Sequence, residues 1–147
     1  MPEYIQIDGR KIGDGFRTFI IAEAGVNHNG NINQARMLID VAAEAGADAV
    51  KFQAFKPQAL ILEGVEKARY QKRTTDPAES QRKMLEKLAL SVQETMELVE
   101  YCERKEISFL TTPFDEEILE ELDQIRLPAY KVASTDTTNL PFLRKVA

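Results

Sequence analysis

Residues 19–30 read FIIAEAGVNHNG. The segment opens on apolar and small residues, Phe19 to Ala22, the run expected of a short, fully buried strand. Glu23 then sets a carboxylate inside that run. An acid at the end of a buried strand is costly unless it has a partner or a chemical task. Asn27, His28, Asn29 and Gly30 break the strand and can start a helix. The rest of the chain repeats this arrangement with different chemistry at each strand end.

Asn31 is a natural N-cap, and Ile32, Ala35, Leu38, Ile39, Ala42 and Ala43 follow at helical spacing until Gly46 stops the helix. Ala49-Val50 then leads into Lys51-Phe52-Gln53. Strand, helix and strand within about thirty-five residues is the βαβ size of a parallel sheet. Upstream, Tyr4 to Ile12 reads as a hairpin turning at Asp8-Gly9, placed to plug one end of a barrel.

Ala54 to Thr75 shows no period and is expected to be a long loop. Asp76-Pro77-Ala78-Glu79 predicts an N-cap, a proline at N1 and a reciprocal glutamate, with Met84, Leu85 and Leu88 on the buried side of a short helix. Ser91 and Glu94 form a second capping box, ahead of a helix with a stripe of Val92, Met96, Val99 and Cys102. Ile107 to Phe114 predicts a third strand, and Asp115 caps a helix whose inner face is Ile118, Leu119, Leu122 and Ile125. Ala129 to Ser134 predicts a fourth strand, and Asn139-Leu140-Pro141 a last helix start.

The order βαβαβαβα implies a parallel α/β sheet. Four strands fit either an open doubly wound sheet or half of a (β/α)8 barrel, which needs roughly 250 residues when closed. No G-x-G-x-x-G follows the first strand, so a dinucleotide fold loses ground. The 147 residues suffice for one domain, and no apolar run approaches a membrane span. The N-terminus lacks the pattern of a secretory signal, and Cys102 as the one cysteine excludes an internal disulfide; both fit a cytoplasmic setting. A net charge of −5 argues against a general nucleic-acid binder but leaves room for an anionic small substrate beside a local cluster of lysines.

In parallel α/β folds function gathers at the carboxyl ends of the strands. Those ends offer Glu23, then Lys51 and Gln53, then Thr111 and Thr112, then Lys131, Ser134 and Asp136. Two lysines, a hydroxyl pair and a serine at one mouth would make a phosphate or carboxylate site. Glu23 and Asp136 could handle protons or organise a polar substrate. Plainer readings stand beside these: Glu23 as the structural partner of a lysine, Thr111-Thr112 as a strand end, His28 as a turn residue, and Cys102 as core packing. A lone histidine does not make a metal site.

Four ordered motifs, FIIAEAGVNHNG, ADAVKFQ, FLTTPFD and AYKVAS with Asp136 and NLPFL behind it, resemble the sialic acid synthase (N-acetylneuraminate synthase) family from Phe19 onward. The insert ARYQKRTTDPAESQRKMLEKLALS looks more like the branch that makes legionaminic acid. The resemblance implies residues 1–147 as the N-terminal half of a (β/α)8 TIM-type barrel. The activity it implies joins phosphoenolpyruvate to an N-acetylated hexosamine, giving a nine-carbon 2-keto acid and phosphate. On this resemblance Lys51, Gln53, Thr112, Lys131 and Ser134 bind phosphoenolpyruvate, while Glu23 and Asp136 act at the reacting centre. Asp136 stands where many relatives carry glutamate in a G-S-G-E motif, and Ala133 and Thr135 replace its glycines.

A divalent metal, Mn2+ or Mg2+, is implied with its ligands outside this chain, as are a second half barrel and an antifreeze-like domain. Completion by a second copy or by a C-terminal chain is therefore expected. The alternative is a non-catalytic half barrel that keeps only an anion site. A more distant one is another phosphoenolpyruvate-condensing barrel, such as a deoxy-heptulosonate phosphate synthase.

Overall fold

In a computed structural model, residues 3–62, 65–67, 69–76 and 78–147 are described. Strands β1 (Tyr4–Ile7) and β2 (Arg10–Gly13) form the expected hairpin, with Asp8 and Gly9 both at positive φ, as a two-residue turn requires. The central layer is a parallel sheet in the order β3 (Ile21–Gly25), β4 (Ala49–Ala54) and β5 (Ser108–Pro113). Helix α1 (Ile32–Glu44) starts at Asn31, whose side chain accepts from the N–H groups of Asn33 and Gln34. Helix α5 (Val92–Arg104) carries the complete Ser91–Glu94 capping box.

Alternation along the strands divides the sheet into two faces. Val50, Phe52 and Phe109 pack against Ala35, Ile39 and Ala42 of α1 and Leu98 and Cys102 of α5. The Phe52 and Phe109 rings stack with centroids 5.3 Å apart. Burial pushes the Cys102 thiol up to about 12, so it behaves as a packed apolar group. The other face carries Glu23, Lys51, Gln53, Leu110 and Thr112.

Several expectations change. The first strand is not fully buried: among the described residues β3 pairs only with β4, and Ile20 and Ile21 lie half exposed along its open edge. The α5 stripe is rotated by one position, with Thr95, Leu98 and Cys102 buried and Met96 40% exposed. Thr95 can face inward because its hydroxyl donates to the Ser91 carbonyl. The stretch after β4 contains two short helices, α2 (Pro57–Leu60) and α3 (Arg69–Thr74).

Helix α4 (Gln81–Glu86) is capped by Ser80 rather than by Asp76, because Glu79 is taken by Lys67 and Lys87. The expected Pro77 at N1 lies outside the described residues. The fourth strand shrinks to one bridge, Thr111 to Tyr130, closed by the Lys131 N–H on the Thr111 carbonyl at 2.9 Å. The next rung would take an N–H from residue 113, and Pro113 has none. The chain turns instead into a 3-10 helix at Ser134–Asp136, after α6 (Glu116–Asp123) and before α7 (Leu140–Val146).

The hairpin is fastened to the amino ends of the strands. Ser108 donates to Asp8 at 2.7 Å, while Arg10 and Arg17 both reach the buried Asp48, which also accepts the Ile20 N–H at 2.7 Å. Burial alone would raise the Asp48 pKa, but the Ile20 N–H and the two guanidinium groups outweigh it and hold the carboxyl below its ordinary value of 3.8. The stability it contributes is present above pH 3.8 and is lost as pH falls through the lower folded value. Replacing Asp48 with Asn should cost about 1.5–3 kcal/mol at neutral pH, as expected for charged hydrogen bonds, and flatten the acid limb. Urea unfolding as a function of pH checks this; an acid limb as steep as that of the parent chain would refute the role.

Candidate active site

The parallel register places Glu23 directly beside Lys51, and their side chains form an ion pair. Lys51 is only 13% exposed, whereas the Glu23 side chain is half exposed. A largely desolvated ammonium needs a counter-charge, and Glu23 supplies it. One residue later the register slips between Glu23 and Gly25, so β3 bulges at its carboxyl end. Gly25 has φ +55°, and a Cβ there would lie 3.2 Å from Glu23 Oε1 and 3.6 Å from Gln53 Nε2. The bare glycine thus leaves the floor over which the carboxylate and the amide sit.

Gln53 faces Thr112 across the β4–β5 ladder, completing a patch of Glu23, Lys51, Gln53 and Thr112. The hydroxyl pair splits: Thr112 lies on this face, while Thr111 points to the other and donates to the Phe52 carbonyl at 3.4 Å. Asp115 ties the mouths of the two strands together. One carboxylate oxygen caps α6 through the Ile118 N–H at 2.8 Å, and the other accepts the Lys56 N–H at 2.7 Å, just beyond β4.

The remaining predicted residues lie in the segment that follows the Thr111–Tyr130 bridge. Lys131 and Ser134 are exposed, and Asp136 accepts from the Thr135 hydroxyl at 3.1 Å and the Asn139 amide at 3.3 Å. Among the described residues, no hydrogen bond or ion pair joins this group to Lys51 or Glu23. Three cavities are lined by other parts of the chain. No group of three or more His, Cys, Asp or Glu side chains among the described residues could hold a metal ion. These residues do not fit a divalent-metal site.

A family model described as the NeuB family matches residues 38–147. The chain belongs to the NeuB family. The N,N'-diacetyllegionaminic acid synthase of Campylobacter jejuni is 47% identical over 131 residues, 89% of this chain and 39% of that protein. The synthase of the same name from Legionella pneumophila is 42% identical over 92% of this chain and 38% of its own length. The crystal structure of N-acetylneuraminic acid synthetase from Leptospira borgpetersenii, in complex with citrate, matches with a TM-score of 0.79 at 34% identity. That match covers 99% of this chain and 46% of the Leptospira one.

The fold is therefore α/β of the (β/α)8 barrel type, in its N-terminal half. This NeuB chain spans about two fifths of the length of the curated relatives, 39% and 38%. No helix among the described residues is long and apolar enough to cross a membrane.

Two features of the patch escaped the sequence reading. The bulge had a signal, a lone glycine inside a strand pattern. The second bond of Asp115 had none, because its partner is 59 positions away. Gly25→Ala should destabilise the fold by about 1–2 kcal/mol, since a side chain at positive φ is strained, and should crowd the Glu23 carboxylate. Chemical denaturation checks it, and an unchanged midpoint would rule out the proposed floor.

Proposed function

We propose that this chain is the phosphoenolpyruvate-binding half of a nonulosonate synthase, residues 1–147 forming the N-terminal part of its barrel. The observation that carries the reading is the desolvated Lys51 paired with Glu23 at the strand carboxyl ends, with Gln53 and Thr112 beside it. An anionic substrate can take the place Glu23 holds beside the ammonium, with the amide and hydroxyl as neutral donors to its remaining oxygens. Lys131 and Ser134 supply further donors from the segment after β5. The 47% identity to a legionaminic acid synthase favours a diacetamido hexosamine as the second substrate, ahead of N-acetylmannosamine.

In the reaction, C3 of phosphoenolpyruvate attacks the open-chain aldehyde carbon of the sugar. Water adds at C2, and the tetrahedral intermediate loses phosphate by C–O cleavage, leaving a nine-carbon 2-keto acid. Glu23, released from Lys51 by the incoming anion, stands at the reacting centre, and Asp136 serves the water. A second copy or a C-terminal chain covers the open edge along Ile20 and Ile21, where β3 has room for another strand. A cytoplasmic setting fits a chain whose buried Cys102 is free.

A second reading, an anion-binding half barrel without chemistry, draws on the absence, among the described residues, of any bond joining Asp136 or Lys131 to the Glu23–Lys51 pair. Phosphate release from phosphoenolpyruvate with Mn2+ and either sugar, measured together with the mass in solution, decides between them. Sugar-dependent release supports the synthase; phosphoenolpyruvate binding without release supports the second reading. Lys51→Ala and Lys131→Ala should each weaken phosphoenolpyruvate binding by about 1.5–3 kcal/mol, the range for charged hydrogen bonds. Unchanged affinity in both removes the anion site. In an active assembly Glu23→Gln should spare binding and lower turnover, and normal turnover would end its catalytic role.

A further inference from the structure

His28 is fully buried, and the proposed chemistry has no use for it. Its Nδ1 accepts the N–H of Gly30 at 3.0 Å. A ring nitrogen that accepts carries no proton, so the imidazole is neutral with its hydrogen on Nε2. That Nε2 is buried and has no hydrogen-bond partner among the described residues. The ring lies against Phe52 with centroids 5.9 Å apart.

The turn around it is bonded step by step. Asn27 N–H donates to the Ala24 carbonyl at 3.0 Å, Asn29 N–H to Val26 at 3.0 Å, and Asn31 N–H to His28 at 2.9 Å. Gly30 is wedged in place as well, since a Cβ there would fall 2.0 Å from the Lys87 carbonyl oxygen. His28 therefore holds both the exit of β3 and the entry to α1, and the exit of β3 is the Gly25 bulge beneath Glu23.

We propose that His28 is a positioning residue of the anion site: its unprotonated Nδ1 locks the β3–α1 turn and so holds Gly25 and the Glu23 carboxylate in register with Lys51. The proposal rests on the reading of Glu23 and Lys51 as that site. Protonation turns the Nδ1 acceptor into a donor facing another donor, and the lock opens. Few groups oppose this. From α5, Glu94 favours the charged ring; from the α4–α5 connection, Lys87 is paired with Glu79. β4 presents Phe52, the start of α1 presents uncharged Asn31 and Gln34, and Glu23 and Lys51 are paired with each other on β3 and β4.

Burial lowers the His28 pKa below 6.5, against the smaller pull of Glu94. The unfolded chain thus binds the proton first as pH falls. The lock's contribution is whole above 6.5 and declines between 6.5 and the folded value.

The test uses the chain itself, labelled with 15N, followed by amide exchange at Gly30 and by phosphoenolpyruvate titration across a pH series. His28→Asn offers an oxygen at the Nδ1 position that does not protonate, and His28→Leu fills the space with no acceptor. Gly30 protection in the parent should fall with a midpoint below 6.5, stay level in H28N, and be about five- to tenfold lower at every pH in H28L. Phosphoenolpyruvate affinity should follow the same order, with H28N as the reference for titration of the ligand's own phosphate. Equal Gly30 protection in the parent and H28L overturns the lock, and protection lost without any change in affinity overturns its link to the site. If the parent binds no phosphoenolpyruvate at any pH, the anion site is lost, and a pH-independent Gly30 amide would then separately refute the lock.

Discussion

Lys51 sits in the middle of a strand paired on both sides, with most of its side chain out of water. An ammonium in that position must find a negative partner, and the parallel register allows one from β3 at the level of Glu23. Much else follows from that constraint. Alternation sends Phe52 to the helix side, where it stacks on Phe109, and returns Gln53 to the polar side beside Thr112. The bulge at the next step of β3 lets the chain leave the sheet without dragging Glu23 from its partner. The pair is half exposed on the Glu23 side and is worth no more than about 1 kcal/mol in stability, yet it sets the polar character of this face.

What could be read from the sequence was what local rules govern. The caps at Asn31, Ser91, Asp115 and Asn139 act over three residues and are found where their residue types stand. The three full strands were legible as apolar runs between turn signals. Failures came where a distant group competed. Glu79 looked like half of a capping box, but two lysines claim its carboxylate, and one of them, Lys67, is buried and also donates to the Asp76 carbonyl at 2.8 Å. Ala129 to Ser134 had a strand's composition, yet Pro113 on the neighbouring strand withholds the donor that the second rung needs. On α5 the predicted stripe of Val92, Met96, Val99 and Cys102 is the more apolar one, yet a threonine that bonds its own helix took the inner place.

The candidate site was legible in part for the same reason. Residue types at strand ends named Glu23, Lys51, Gln53 and Thr112, and alternation brings Lys51 and Gln53 to one face, where the β4–β5 register adds Thr112. The pairing of Glu23 with Lys51 needed the register, which hydrophobic pattern does not specify to the residue at an open edge. Asp115 was visible as a cap but not as the clamp that fixes Lys56 and with it the exit of β4.

The two sides of the proposed site differ in how firmly they are held. Lys51, Gln53 and Thr112 belong to a ladder whose other face is the apolar core, so their backbone cannot shift without opening that core. Lys131 follows a single bridge, and Ser134 and Asp136 are placed by one 3-10 turn and by the seating of α7. That helix is held to α6 by Phe142, which is buried, and by Lys145 with Glu116 at 2.5 Å, an exposed pair of small worth. The Lys51 side of the face is thus tied to the core by a paired ladder, and the Asp136 side by one bridge, one 3-10 turn and the buried Phe142.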